Sequence, residues 1–539
     1  MAAVTDSRSS LAQAPTDDEE ASWGRYSHRE ILVIYSGLML GMLLGALDQT
    51  VVATALPTIV GQLGGLEQLA WVVTAYMLTS TATTLLYGKL GDLFGRKKIF
   101  QLAIFIFLVG SVCSGLSQNM VQLIASRALQ GAGAGGLMAL AMTIIADVVS
   151  PRERGRYQGY STGVFAVASI VGPLIGGLFT DHLTWRWVFF VNVPIGIAAL
   201  FMASVALQET TRRVRHTIDY LGSVLMMAGV TALLLVLTWG GTQYAWSSVE
   251  VLGTAAAAVV CLVAFAVWEM HVSEPILPLT LFSNSIFTIT TLVALISGMS
   301  MFGAVVFLPV FLQLVSGTSA TNSGLLLTPQ MAGVIITSIT AGRLITRTGK
   351  YKIFPLIGIP MQLVAFFLMS GMNRATSQPQ VAGFMVLLGL GMGMTMPTLT
   401  TAMQNAVSVR VMGVATSVSQ FARSMGSALG VTVFGAIMNN RLAYYLPRAL
   451  PPGSLKNGLG ASSLEGSPRQ ILALPYPVRL AIIDSFARAL HVVFIAVIPV
   501  IAVSLVLTVF LKELPLRSGS RRSAAEEGVE LMDLGALAG

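Results

Sequence analysis

Apolar residues recur along this chain in runs of about 18 to 25, the length of helix that crosses roughly 30 Å of hydrocarbon at 1.5 Å per residue. Bounded by charges and turn residues, the runs predict spans over 30–55, 70–88, 99–116, 120–145, 157–180 and 186–207. Two more follow over 219–240 and 250–268, and six again over 285–312, 322–345, 353–371, 380–402, 409–438 and 489–511. The runs are far too long for barrel strands, so the pattern predicts an all-α integral membrane protein of fourteen helices.

An internal repeat groups them. The loop after the second span reads Gly88-Lys-Leu-Gly-Asp-Leu-Phe-Gly-Arg-Lys-Lys98, and the loop after the tenth reads Gly342-Arg-Leu-Ile-Thr-Arg-Thr-Gly-Lys-Tyr-Lys352. Glycines and charges coincide, and the two loops are equivalent only if a second six-helix unit begins at the ninth span. The arrangement is therefore 6+2+6. We expect a tail over 1–29, a six-helix bundle over 30–208, two inserted helices with their flanks over 209–283, and a second bundle over 284–512. Within that bundle 439–488 reads as a long external loop, rich in Pro and Gly and without helical periodicity until about Pro477, and 513–539 is a second tail. Parallel halves place a substrate cavity between them near the midplane.

Composition agrees, with 54% hydrophobic and 10% charged residues, more apolar side chain than a soluble globule can hide. The net charge of +8 would suit nucleic acid, but the basic residues sit in short loops and tails rather than on one face. Their bias toward the even-numbered loops puts both termini in the cytoplasm of a cell (inner) membrane. Residues 1–29 carry Asp17, Asp18, Glu19 and Glu20 and lack the order of a cleaved leader, so the first run is expected to be a retained helix. Cys113 and Cys261 lie in separate apolar runs with no ligand spacing around them, and neither a metal site, a cofactor site nor a catalytic constellation is expected.

Charged residues inside spans are costly, so they are the first candidates for function. Asp48 is the one carboxylate placed deep in a span. It needs a cavity, a partner or a proton, and burial makes its protonation sensitive to which side of the membrane it sees. The alternative is an Asp that only hydrogen-bonds a neighbouring helix. Arg127 is its natural electrostatic partner, with Gln130 on the same face, and the alternative there is a structural Arg near the cytoplasmic end. In the first repeated loop, Gly88, Gly95, Arg96 and Lys97 surround Asp92, which topology alone does not require. Asp92 could accept bonds from a helix N-terminus or pair with an Arg across the halves in one conformation, a latch. The repeat has Thr346 there, so the latch would be asymmetric.

Gly172, Pro173, Gly176 and Gly177 permit close approach and bending of the fifth span, as Pro397 does in the twelfth. Gln49, Gln130, Gln404, Gln420 and Arg423 are the polar positions expected to face the cavity. No Asp or Glu occurs between Glu274 and Glu465, so the second half offers no carboxylate to a cationic substrate.

Taken together, these residues resemble the major facilitator superfamily, and within it the fourteen-helix drug:proton antiporter group, over nearly all of 30–512. Leu47-Asp48 to Pro57 looks like that group's first-helix motif, Gly88 to Lys98 its loop motif, Arg127 to Gly133 its fourth-helix motif, and Gly163 to Gly177 its antiporter motif, with Ala168 where glycine is usual. The resemblance implies proton coupling through Asp48 and Arg127, a leak-preventing bend at Pro173, and stabilisation of the outward-facing state by Asp92 and Arg96. It further implies proton-coupled export of lipophilic or amphipathic small molecules by alternating access, and the short loops and Ala/Gly-rich spans resemble those of bacterial members; we expect the working unit to be a monomer. Export or import of one dedicated metabolite, siderophore or lipid is the alternative on the same fold, and a non-transporting membrane sensor a remote one.

Overall fold

The computed structural model describes residues 28–63, 69–149, 151–207, 219–241, 244–272, 275–318, 328–408, 411–450 and 475–516. The acidic cluster at 17–20, both chain ends and residues 451–474 lie outside the described residues. Among the described residues there is no β-strand, only one isolated bridge between Gly240 and Tyr244.

The first half comprises α1 (His28–Leu63), α2 (Leu69–Phe94), α3 (Arg96–Leu116), α4 (Met120–Val148), α5 (Pro151–His182), the single turn α6 (Trp187–Phe190) and α7 (Asn192–Ala206). α6 and α7 together make the sixth span. α8 (Tyr220–Trp239) and α9 (Val249–Glu269) are the inserted pair. The second half comprises α10 (Ser285–Val310), α11 (Thr328–Thr348), α12 (Ile353–Ser370), α13 (Gln378–Ala406), α14 (Met412–Ala449) and α15 (Tyr476–Val509). Helix starts follow their capping residues. Asn119, Asp219 and Ser248 each accept a main-chain N–H three residues on, which satisfies a donor that the helix itself cannot.

Eleven helices are long and apolar enough to cross a membrane. α2, α10 and α11 fall outside that set; α10 carries a shorter apolar stretch over Ser285–Met301, and polar positions of α2 and α11 face protein. Thr83 and Thr84 of α2 donate to the carbonyls of Ala132 and Gly135 on α4, and Thr337 of α11 donates to Leu390 on α13. Small residues let these backbones touch: a Cβ at Gly131 or Gly135 would strike the carbonyls of Tyr76 and Ser80, and one at Gly389 or Gly393 those of Gln330 and Val334. The two halves thus repeat the same contact, as the loop repeat predicts. Gly95 and Gly349 occupy matching places in those loops with φ of +93° and +71°, a backbone that only glycine takes cheaply.

Three segments depart from the sequence reading. α14 continues to Ala449 and α15 starts at Tyr476, so much of 439–488 is helix rather than loop. Met438, Leu442 and Leu446 recur every four residues and pack with Ile482 and Phe486 in one core, which outweighs the polar residues between them. The ninth span ends in a π turn over Phe311–Val315, just after Pro309, whose missing N–H leaves the regular ladder incomplete.

Each half has its own apolar core, and a third core binds the halves to the inserted pair. It joins Leu78, Ala82 and Leu85 of α2 to Met226, Val230 and Leu234 of α8, Phe265 of α9, and Met412, Val414 and Val418 of α14. α8 therefore lies along the seam where α2 meets α14.

Candidate functional site

Asp48, twenty residues into α1, is fully buried. Its Oδ2 accepts a hydrogen bond from Arg127 Nη1 at 2.6 Å. Its Oδ1 accepts from Gln130 Nε2 at 2.8 Å and from Asn192 Nδ2 at 3.0 Å. The 3.6-residue period sets Arg127 and Gln130 on one face of α4, and Arg127 Nη1 also donates to Gln130 Oε1 at 2.7 Å. Arg127 Nε donates to the Val72 carbonyl, and its guanidinium lies 4.2 Å from the centre of the Tyr76 ring, both on α2. Asn192 reaches on to Ser111 of α3, whose hydroxyl donates to Phe189 of α6.

The acid meets Arg127 and Gln130, as the sequence suggested, and is the centre of a network that ties α1, α2, α3, α4, α6 and α7 together. A buried carboxylate and guanidinium repay their desolvation only when geometry and further hydrogen bonds are this complete. Arg127 lies seven residues from the start of α4 at Met120, at the end of the bundle remote from the Asp92 loop.

The loop at the other end brings both halves together. Asp92 Oδ2 accepts the amide of Val414, in the first turn of α14, at 3.2 Å. Arg96 holds the other oxygen through Nε at 3.2 Å and Nη2 at 2.9 Å, and also pairs with Asp147 at the end of α4. Gly88 lies against Ser417 and the Gly413 carbonyl, leaving no room for a side chain. Lys97 donates to the carbonyls of Ser204 and Leu207 at the end of α7, where a cation suits the helix dipole. Thr346, the repeat's counterpart of Asp92, donates to the Gly342 carbonyl of its own helix.

On α5, Gly172 meets Thr50 of α1, whose hydroxyl donates to Ala168 O at 3.0 Å; Gly176 is buried, whereas the space beside Gly177 is open. α5 stays helical through position 173, whose side chain lies outside the described residues. Pro397 is buried within α13.

The five polar positions expected in one cavity are not gathered in one place. Gln130 is consumed by Asp48, and Gln49 is exposed, with its amide at the Tyr76 hydroxyl. Gln404 sits in the seam, 3.5 Å from the Met142 carbonyl and 3.4 Å from Thr416 Oγ1, with its own Oε1 unbonded. Arg423 borders a small cleft that Ser419 also lines, and neighbouring Gln420 is half-buried.

Sequence reasoning missed Asn192, Ser111 and Asp147. An amide inside an apolar run was the available signal for Asn192, since it has few other reasons to be there.

The chain matches the sequence model of the Major Facilitator Superfamily over residues 38–431. An uncharacterised transporter of that type from Mycobacterium tuberculosis is 41% identical, with 90% of this chain and 70% of the relative covered. The multidrug transporter protein MdtP of Bacillus subtilis is 38% identical, covering 94% of this chain and 97% of that one. In fold, the human organic anion transporter MFSD10 superposes with a TM-score of 0.59 at 13% identity, over 89% of this chain and 99% of that one.

Proposed function

We propose that this chain, which belongs to the major facilitator superfamily, exports lipophilic or amphipathic small molecules in exchange for protons, by alternating access of a site between its halves. The export reading is supported by the likeness to a multidrug transporter along almost the whole of both chains. The proton reading is carried by one observation, the enclosed Asp48–Arg127 pair.

In the conformation described, Arg127 neutralises Asp48 and water is excluded from both. A proton can replace Arg127 as the carboxylate's partner only when the pair separates, so protonation is tied to a change of shape. Helix α2 is the means: it carries Val72 and Tyr76 against Arg127 at one end and Asp92 against α14 at the other. Asp92, held by Arg96 and Lys97's loop around Gly88 and Gly95, serves as the latch on the closed end. With both termini cytoplasmic, that closed end faces the cytoplasm of the cell membrane. Gly172, Pro173, Gly176, Gly177 and Pro397 provide the bends. We take 30–208 and 284–512 as the two moving bodies, with 209–283 inserted between them, and the monomer as the working unit, with no catalytic step.

Reconstituted protein under an imposed pH gradient tests this. Asp48→Asn is expected to bind substrate and to lose gradient-driven accumulation. Full gradient-driven transport by that variant removes Asp48 from the exchange.

A further inference from the structure

We infer that Arg423 is the binding point for an anionic group on the transported molecule, a carboxylate, sulfonate or phosphate oxyanion attached to an apolar body. The assignment rests on reading the space between the halves as the substrate passage, and it narrows the class of molecule that passage takes.

The arginines of the two sites described above have carboxylate partners. Arg127 has Asp48, and Arg96 has Asp92 and Asp147. Arg423 has none among the described residues: its Nε is enclosed without a hydrogen-bond acceptor, and no carboxylate pairs with it. The sequence explains why, since Asp and Glu are absent from 275–464, the stretch that supplies α10 to α14. A half-buried guanidinium whose Nε is enclosed and which meets no counter-ion is costly and is retained where a ligand supplies the missing charge.

Its surroundings suit an oxyanion. The cleft is lined by Thr290, Ser297, Thr400 and Ser419 along with Met396 and Leu399. Thr290 and Thr400 spend their hydroxyl protons on carbonyls of their own helices. Ser297 and Ser419 make no such bond among the described residues, which leaves two neutral donors beside the guanidinium. Met396 and Leu399 offer adaptable apolar surface to the rest of the molecule. Arg423 stands eleven residues into α14, about 16 Å along the helix, near the middle of a hydrocarbon layer about 30 Å thick. That is the depth at which paired halves meet a substrate.

The test is equilibrium binding of three fluorescent probes with one apolar body, 1-pyrenebutyrate, 1-pyrenebutanol and 1-pyrenebutylamine, to the full chain in phosphatidylcholine vesicles without a gradient. The butyrate is expected to bind about tenfold more tightly than the alcohol or the amine, the size of a charge-assisted hydrogen bond against a neutral one. Arg423→Gln should abolish that preference while leaving alcohol binding unchanged, and Arg423→Lys should keep most of it. Should Arg423→Gln fail to fold, Ser419→Ala is expected to weaken butyrate binding about threefold and alcohol binding not at all. Equal binding of the three probes to the wild type, or an undiminished preference in Arg423→Gln, overturns the assignment. Repeating the measurement with phosphatidylglycerol in the vesicles identifies the source of the anion. Loss of the preference there shows lipid phosphate competing for the same oxyanion site, and its persistence shows that the site takes the solute. Asp48→Asn protein should show the same probe preference, so failure of the exchange mechanism and failure of the anion site are told apart.

Discussion

Asp92 of α2 accepts the main-chain N–H of Val414, so a carboxylate from the first half caps a helix of the second. The bond joins a carboxylate to the positive end of a helix dipole, at the end of the molecule where the two halves meet.

Removing that carboxylate should therefore change populations rather than stability. A lost cap of this type is worth about 1 kcal/mol, so Asp92→Ala is expected to shift the closed-to-open ratio about fivefold. Distance distributions between spin labels at Phe94 and Leu344, both exposed near this end of α2 and α11, measure it. An unchanged distribution would remove Asp92 from the latch.

Gly88 makes the same contact by shape. A Cβ there would meet Ser417 and the Gly413 carbonyl, so Gly88→Val should block closure and cut transport at least about tenfold at normal expression. Gly88→Ala combined with Ser417→Gly should transport better than Gly88→Ala alone, because the second change empties part of the space that the first one fills. No recovery in the pair would place the defect elsewhere.

Arg127 and Asp48 should show strong coupling in stability. Arg127→Ala strands a buried carboxylate and is expected to cost about 3–5 kcal/mol, while Asp48→Asn with Arg127→Gln together should cost less than Arg127→Ala alone. Thermal unfolding in detergent gives the comparison. Simple additivity would mean that the two side chains are not in contact.

Asn192 supports one oxygen of Asp48 and links it to Ser111. Asn192→Ala is expected to lower stability by about 1–3 kcal/mol and to leave substrate binding intact. Asn192→Asp, which sets a second carboxylate beside the first, should be the more damaging of the two in the same unfolding measurement.

The architecture was legible because crossing hydrocarbon dictates both the length and the composition of a helix, and the repeat of Gly88–Lys98 at Gly342–Lys352 marked the start of the second half. Asp48 and Arg127 stood out because ionised groups inside spans are rare. Asn192 and Ser111 did not, since uncharged polar residues occur throughout these helices and only coordinates show which ones meet. The outer turns of α14 and α15 were hidden for a related reason: Asn439, Asn440 and Arg441 interrupt the apolar run, although Leu442 and Leu446 keep the buried stripe going. Nothing in a linear pattern places Gln130 under Asp48 while Gln404 goes to the seam, because each choice depends on a neighbouring helix.

Helix α8 touches both halves by different kinds of contact. Its Trp239 meets Trp71 of α2 edge to face, at 6.0 Å between ring centres, whereas its Leu237 carbonyl receives the Thr432 hydroxyl of α14. That carbonyl belongs to the last turn of α8, where no amide of the same helix is left to bind it. An edge-to-face ring contact has no directional bond to break, but an orphan carbonyl away from water does not readily release its donor. The inserted pair thus bridges the two halves, by a ring contact to the first and by a side-chain hydrogen bond to the second.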